Sequence, residues 1–350
     1  MIGLMSGTSL DALDIAYVTF DFTSSPTVEF KLIQAESIPY PATLERQLRD
    51  ATSLASPDLF ELHHQLGIYY AQQVEAFIEK HRLPKQEIDA IASHGQTIFH
   101  QPERGFTVQI GCGATLAYTC QLPVISDFRS LDVIAGGQGA PLVPIGDLQL
   151  FHNKADAFLN LGGFANISFQ QQSKVVAYDL CAANLPMNLW MQAIGKNYDK
   201  DGELAQQGQV NEVVLAQLNQ LDYYQQSGPK SLGSEWLSQN YLPHFESLNL
   251  ADKLATHIAH CAHQIACQVP KSCQKILVTG GGAKNPLLIK ALQHACKAEL
   301  LIPDEQLIDF KEALIFAFLG ARHLRGESTT IESVTGASKA LCTGVLHQHF

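Results

Sequence analysis

The sequence predicts an α/β protein made of two related halves, and three observations carry that expectation. The chain opens on an apolar strand, Ile2 to Met5, which runs through Ser6-Gly7-Thr8-Ser9-Leu10-Asp11 into a second strand, Ile15 to Phe20. A comparable hairpin returns near the middle: Ala157 to Leu161 reads as a strand, Gly162-Gly163 as a turn, and Ile167 to Phe169 as the returning strand, followed by Val175 to Tyr178. Each copy leads into segments with helical spacing, and self-similarity of this order points to duplication.

The first half begins as a three-stranded meander, Ile2 to Met5, Ile15 to Phe20 and Val28 to Ile38. Pro39 and Pro41 introduce helical segments around Ala42 to Thr52 and from Pro57 to His81, where Leu59, Leu62, Leu66, Tyr69, Tyr70, Val74, Phe77 and Ile78 follow helical spacing. Ile88 to Ala92 reads as a short buried strand ending at Ser93-His94-Gly95-Gln96-Thr97. Polar residues at the carboxyl end of a parallel strand face the crevice where ligands bind. A strand at Val108 to Ile110, a helix around Ala114 to Thr119 and a strand at Val124 to Ser126 lead to Asp127-Phe128-Arg129. Gly136-Gly137-Gln138-Gly139-Ala140-Pro141 is too rich in glycine for an element interior, so it crosses between domains or lines their cleft.

In the second half the meander from Ala157 to Tyr178 ends at Asp179, and a helix is expected over Pro186 to Ile194. Tyr198 to Glu246 is the least periodic region and reads as mixed helices and loops. A helix from Ala251 to Val269 precedes the strand Ile276 to Thr279, the turn Gly280-Gly281-Gly282-Ala283-Lys284-Asn285, and a helix opened by Pro286 and running to Cys296. Strand, glycines and helix N-terminus form a site whose amides and dipole favour anionic ligand groups. Lys311 to Leu324 is apolar on most sides and reads as a buried helix.

Composition narrows the function classes. The 350 residues, 46% hydrophobic and 16% charged, suffice for two domains with substantial cores. With 23 Lys and Arg against 34 Asp and Glu, the net charge of −11 disfavours nucleic acid and an anionic membrane as partners. A local pocket for one nucleotide remains compatible with that charge. The start lacks the regions of a signal peptide and no apolar run is long enough to span a bilayer, so a cytoplasmic protein is expected, with a homodimer as a candidate assembly. The eight cysteines are scattered without a C-x-x-C pair and read as reduced, mostly buried thiols. His257, His260 and His263, with Cys261 and Cys267 nearby, raise the question of zinc, but six helical residues turn through more than one revolution and the tract reads better as a packing or solvated surface.

The first turn has the parts of a phosphate site: glycine lets backbone N–H groups approach closely, Ser and Thr add donors, and an acidic side chain can hold the waters of Mg²⁺. An ordinary polar hairpin turn is the plain alternative for that segment taken alone. No G-x-x-x-x-G-K-[ST] loop and no G-x-G-x-x-G after the first strand is present, which removes the Walker and Rossmann architectures. What remains is a clamp, one glycine turn per half gripping phosphates while Gly280 to Asn285 packs on the nucleoside.

Ile2 to Asp14, Ser93 to His100, Asp127 to Pro144, Asn160 to Ser168, Tyr198 to Gly202, Pro229 to Trp236, Gly280 to Leu288 and Ser333 to Ala337 closely resemble, in order, the anhydro-N-acetylmuramic acid kinases. The most specific pieces are Met-Ser-Gly-Thr-Ser-Leu-Asp and Gly-Gly-Gln-Gly-Ala-Pro-Leu-Val-Pro. The resemblance implies the two-domain actin-like ATPase fold of sugar kinases, Hsp70 and actin, with duplicated βββαβα halves around a central cleft. It sets domains at 1–128 and 129–334, with 335–350 a candidate to complete the first. It also implies the reaction, in which ATP, Mg²⁺ and water convert 1,6-anhydro-N-acetylmuramic acid into N-acetylmuramic acid 6-phosphate during peptidoglycan recycling.

By the same resemblance Asp179 is the base that activates water; its plain alternative is a cap for the helix that follows. Ser6, Gly7, Thr8, Ser9 and Asp11 would meet phosphate, with Asp11 near Mg²⁺ through water; Gly162, Gly163 and Asn166 would form the second phosphate turn, and Gly281 and Gly282 the nucleoside edge. Sugar contacts would come from Ser93, His94, Gly95, Gln96 and Thr97, from Asp127 and Arg129, from Gly137, Gly139, Ala140 and Pro141, and from Asn184. Arg129 suits the lactyl carboxylate, since a guanidinium can pair with it through two hydrogen bonds.

The chain departs from the family pattern in places. Where Asp-x-Gly-Pro-Gly-Asn is common it carries Asp179-Leu180-Cys181-Ala182-Ala183-Asn184, Asn188 lacks the charge of an aspartate, Ala12 replaces a glycine, and Ser234 replaces an arginine. Side chains at 181 and 183 would be costly if either position needed φ > 0. Two alternatives therefore stand beside the kinase: a related kinase for another amino sugar, and a nucleotide- or sugar-binding homologue without turnover. Cysteine catalysis at Cys181 lacks a partnering His pattern, and a buried small residue is the better reading.

Overall fold

The computed structural model describes residues 1–7, 10, 12–23, 27–226, 228 and 230–348. The chain divides into two compact units, Met1–Leu150 with Phe310–Phe350, and Phe151–Asp309.

The first stretch supplies β1 (Ile2–Ser6), β2 (Ala12–Asp21), β3 (Glu29–Pro39), α1 (Ala42–Arg49), α2 (Ser56–Lys80), β4 (Ile91–Ser93), β5 (Gln96–Gln101), β6 (Phe106–Ile110), α3 (Gly113–Cys120), β7 (Val124–Ser126), α4 (Ser130–Ile134) and α5 (Val143–Phe151). The second supplies β8 (Ala157–Leu161), β9 (Phe164–Gln171), β10 (Lys174–Ala182), α6 (Asn184–Gln192), α7 (Glu212–Asn219), α8 (Leu250–Gln268), β11 (Lys275–Thr279), α9 (Pro286–Ala295) and β12 (Glu299–Leu301). α10 (Glu305–Leu324) and β13 (Val345–His347) complete the chain.

Both units carry the same sheet. In the first the order is β13-β7-β4-β1-β2-β3, in the second β10-β9-β8-β11-β12. Each meander is antiparallel, with Ile2 opposite Tyr17 and Ala157 opposite Phe169. The fourth strand of each then runs parallel to the first, with Ile2 beside Ile91 and Ala157 beside Ile276. Parallel neighbours need a crossover, which the helices between them supply, so each sheet is covered and its central strands read as near-continuous apolar runs. This repeated order is the duplicated actin-like fold.

Helix α10 explains why the first strand begins Ile2-Gly3-Leu4. An added Cβ on Gly3 would stand 1.9 Å from the Ala313 carbonyl oxygen, so the missing side chain lets the helix rest on strand backbone. Residues 313–320 of α10 are accordingly buried all round. The sequence reading placed this helix from Lys311; it starts at Glu305 because Asp304 caps the first turn, its carboxylate accepting from Leu307 N at 2.8 Å.

Several expectations change. The division expected at 128/129 falls at 150/151, and the returning segment begins at Phe310 instead of 335. Side-chain bonds within the first unit account for this: Thr335 donates to Asp132 of α4 at 2.8 Å, and Lys311 pairs with Asp147 of α5 at 3.0 Å with both side chains nearly excluded from solvent. Gln96 and Thr97, read as crevice loop, open β5, which pairs with β6. Strand β10 does not end at Asp179 but runs to Ala182, since Cys181 and Ala182 pair with Ala165 and Phe164 after a register shift. Among the described residues no helix is long and apolar enough to cross a membrane.

Candidate active site

In the second unit, the turn after β8 and the turn after β11 meet. Gly162 O accepts from Asn184 N at 3.0 Å, Gly163 O accepts from Ala183 N at 2.9 Å, and Asn184 Nδ2 donates to Leu161 O at 2.8 Å. Gly280 has φ +81°, and a Cβ there would stand 2.5 Å from Asn160 Oδ1. The glycine is what lets the second turn lie against the first. Added Cβ atoms on Gly162, Gly163 and Gly281 meet nothing nearer than 3.4 Å, so these backbones remain approachable, as a cradle for a phosphate chain requires. The turn residues assigned to nucleotide in this unit, with Asn184, are thus brought together; Asn166 sits across from Asp179 in the β9–β10 pair.

Asp179 is partly buried at the irregular end of β10. Leu232 N donates to its Oδ2 at 2.9 Å, its own N–H donates to Lys230 O at 3.0 Å, and Tyr223 donates to its carbonyl at 2.7 Å. Oδ1 takes no hydrogen bond among the described residues. Burial raises this carboxyl above the usual carboxylate range, with the Leu232 N–H opposing the shift. One oxygen is fixed and the other is left as a proton acceptor. The side chain does not cap α6, whose N-cap Ala183 receives no side-chain bond.

The segment after Asp179 explains the departures from the family pattern. Cys181 and Ala183 are not among the residues with positive φ, and Ala183 has φ −123°. Neither replaced glycine position therefore sits in the left-handed region that favours glycine. Cys181 is fully buried beside Cys261, and burial drives the Cys261 thiol well above its ordinary pKa, so packing is its role.

In the first unit the predicted sugar contacts gather around Arg129. Its Nε and Nη2 donate to His94 Nε2 at 3.1 and 2.9 Å, and its Nη1 donates to Gly139 O at 2.7 Å. Three of five N–H groups are thus used, leaving one on each η nitrogen for a ligand carboxylate. Burial lowers Arg129 to about 10, with Glu312 and Asp132 opposing, so it stays cationic at neutral pH. Burial and Arg129 push His94 down to about 3, and a neutral ring accepting at Nε2 carries its hydrogen on Nδ1. The loop 136–141 is fixed from below: Gly139 N donates to Asp132 Oδ2 at 2.8 Å, and Gln138 N to Thr335 O at 2.7 Å. Its Ala140–Pro141 peptide is cis.

Ser6, assigned to phosphate, ends β1. Its buried hydroxyl bonds to Gln96 Oε1 and accepts from Tyr40 at 2.7 Å, and Tyr40 in turn lies 3.2 Å from the Tyr70 hydroxyl. The Ser6 hydroxyl thus links the Gln96 and Tyr40 side chains. Ser93 is fully buried, and Thr97 Oγ1 accepts from Gln109 at 3.3 Å. Asp127 adopts φ +56° and accepts from Ser130 N at 3.2 Å. Thr8, Ser9 and Asp11 lie outside the described residues; Gly7 accepts from Leu10 N at 3.3 Å.

Some neighbours carried no motif. A cavity of about 300 Å³ in the first unit is lined by His94, Gly95 and Asp127 together with His63, Gln109 and His347. Glu312, whose carboxyl burial raises above its ordinary value while Lys311 and Arg129 oppose the shift, sits on a helix whose apolar run hid it. Among the described residues no group of three His, Cys, Asp or Glu side chains could hold a metal ion.

The family model described as anhydro-N-acetylmuramic acid kinase matches residues 1–349. The anhydro-N-acetylmuramic acid kinase of Vibrio vulnificus (strain YJ016) is 36% identical over 365 residues, covering 99% of this chain and 97% of that protein. The protein of the same name from Mannheimia succiniciproducens is 36% identical over 376 residues, covering 99% and 98%. Among solved structures, the activator of the 2-hydroxyisocaproyl-CoA dehydratase from Clostridium difficile with bound ADPNP is 13% identical, with a TM-score of 0.44 over 93% of this chain and 96% of that one. By its whole-length match and by these relatives, the chain belongs to the anhydro-N-acetylmuramic acid kinase family.

Proposed function

We propose that this protein opens 1,6-anhydro-N-acetylmuramic acid with water and phosphorylates the released O6, giving N-acetylmuramic acid 6-phosphate in peptidoglycan recycling. The observation that carries the mechanism is Asp179, with Oδ2 anchored by Leu232 N at 2.9 Å and Oδ1 without a partner among the described residues. Bound ATP supplies the γ-phosphoryl group and Mg²⁺ offsets its charge. Asp179 Oδ1 takes a proton from water as the water oxygen bonds to C1; the C1–O6 bond breaks, and O6 bonds to the γ-phosphorus as its bond to the β,γ-bridging oxygen breaks and ADP leaves. The proton leaves Asp179 to solvent.

Gly162, Gly163 and Gly281 present backbone to the nucleotide, Gly282 packs behind them against Leu161, and Asp11 is assigned to the metal through water. Arg129, held flat by His94 and Gly139, offers its two remaining N–H groups to the lactyl carboxylate. We place the reaction in the cytoplasm, with ATP and a small sugar as the partners.

The test is ATP-dependent turnover across a panel of amino sugars in H₂¹⁸O. One ¹⁸O in the sugar at C1 and none in the phosphoryl group is expected for the anhydro sugar. Phosphorylation of an ordinary N-acetylhexosamine without ¹⁸O uptake would overturn the proposal.

A further inference from the structure

The histidine tract of α8 has a use that zinc does not explain. His257 and Cys261 lie one helical turn apart, and they grip successive carbonyls of the segment that follows Asp179. His257 Nε2 is 2.7 Å from Ala183 O, and Cys261 Sγ donates to Ala182 O at 3.0 Å. All four residues are excluded from solvent.

The hydrogen-bond roles follow from what each atom can do. A carbonyl only accepts, so His257 donates from Nε2 and accepts at Nδ1. Tyr241 lies 2.8 Å from that Nδ1 and spends its hydroxyl hydrogen there. His260 Nδ1, 3.0 Å from the same hydroxyl, must then donate to its oxygen. Burial lowers His257 to about 4 and holds His260 well below its ordinary value, so both rings are neutral and the chain of donors has one direction. His263 and Cys267, the outer members of the tract, are exposed and take no part.

On its other side the same segment is held by the nucleotide turn, with Ala183 N and Asn184 N donating to Gly163 O and Gly162 O. Residues 182–184 are therefore fixed from both sides, immediately after the register shift between Asp179 and Cys181. The carbonyls of residues 182 and 183 are held by α8.

We propose that His257, oriented by Tyr241 and assisted by Cys261, is a positioning residue that holds the 179–184 segment so that Asp179 and Asn184 keep their working geometry. The proposal rests on the reading of Asp179 as the base. A loss of alignment of about 1 Å can cost on the order of 10²-fold in rate without a comparable loss of binding.

The experiment compares His257→Leu, which deletes the donor, with His257→Gln, whose amide nitrogen can reach the Ala183 carbonyl. Cys261→Ala and Cys261→Ser form a second pair, used alone if His257→Leu fails to fold. Single-turnover rate, sugar and nucleotide affinity, and melting temperature are measured for each, beside Asp179→Asn. Expected is a 10- to 100-fold slower rate in His257→Leu and a smaller loss in Cys261→Ala, affinities within threefold, and recovery in His257→Gln and Cys261→Ser. If Asp179→Asn is inactive while Leu and Ala variants turn over within threefold of wild type, or if Gln and Ser give no recovery, the positioning role is overturned. Should Asp179→Asn itself turn over normally, the base assignment fails first, and with it the reason for the clamp.

Discussion

Replacing Asp179 by Asn separates chemistry from folding more cleanly than any other single change. The amide oxygen can still accept from Leu232 N, the bond that is 2.9 Å in the wild type, so the side chain keeps its anchor and its volume. What disappears is the proton acceptor at the other oxygen. General base catalysis is typically worth 10²- to 10⁴-fold, so about 3 to 5 kcal/mol should return to the barrier. Stability should move the other way. Burial raises the folded carboxyl above its unfolded value, so ionised Asp179 costs stability at neutral pH, and that cost vanishes only as pH falls below the ordinary carboxylate range. The amide carries no such cost, and the variant should melt no lower than wild type at pH 7. For the same reason the wild-type rate should fall on the acid side through a pKa above the usual carboxylate value, a limb missing from the residual activity of the variant. Calorimetry for both ligands, single-turnover quench with product analysis, and thermal melts decide the matter. Normal binding with turnover within a few-fold of wild type would refute the base assignment.

Other changes read different parts of the structure. Arg129→Lys keeps the charge but cannot span His94 and Gly139 while presenting two N–H groups, so sugar KM should rise roughly 10- to 100-fold, from about 1.5–3 kcal/mol of lost charged hydrogen bonding, with nucleotide affinity unchanged in titrations. Gly280→Ala places a Cβ 2.5 Å from Asn160 Oδ1 at φ +81°, and should cost about 1–3 kcal/mol in denaturant melts together with weaker ATP binding. Lys311→Met leaves Asp147 charged in a site from which solvent is nearly excluded, and a loss of about 3–5 kcal/mol is expected by urea unfolding.

Local patterns were enough to place most elements. The strand Ala157 to Leu161, the helix opened by Pro286 and the long helix beginning near Pro57 follow directly from periodicity, glycines and capping residues. These signals act over a few residues, and so do the glycine turns that identify the nucleotide side. Strand ends were less legible: β10 extends past Asp179 because its partners Ala165 and Phe164 accept two more residues, a fact that lives on another strand.

What the chain determined by itself was the duplicated α/β plan, the glycine turns, and the ordered motifs that fix its family, all of them written in contiguous residues. Only tertiary structure decided where the units divide, because that depends on Asp132 meeting Thr335 and Asp147 meeting Lys311 across more than 160 residues. It alone showed that the Ser6 hydroxyl belongs to Tyr40 and Gln96, that Glu312 belongs beside Arg129, and that His257 reaches Ala183. A side chain's partner is chosen by the space the fold leaves around it, and no spacing along one segment encodes that space.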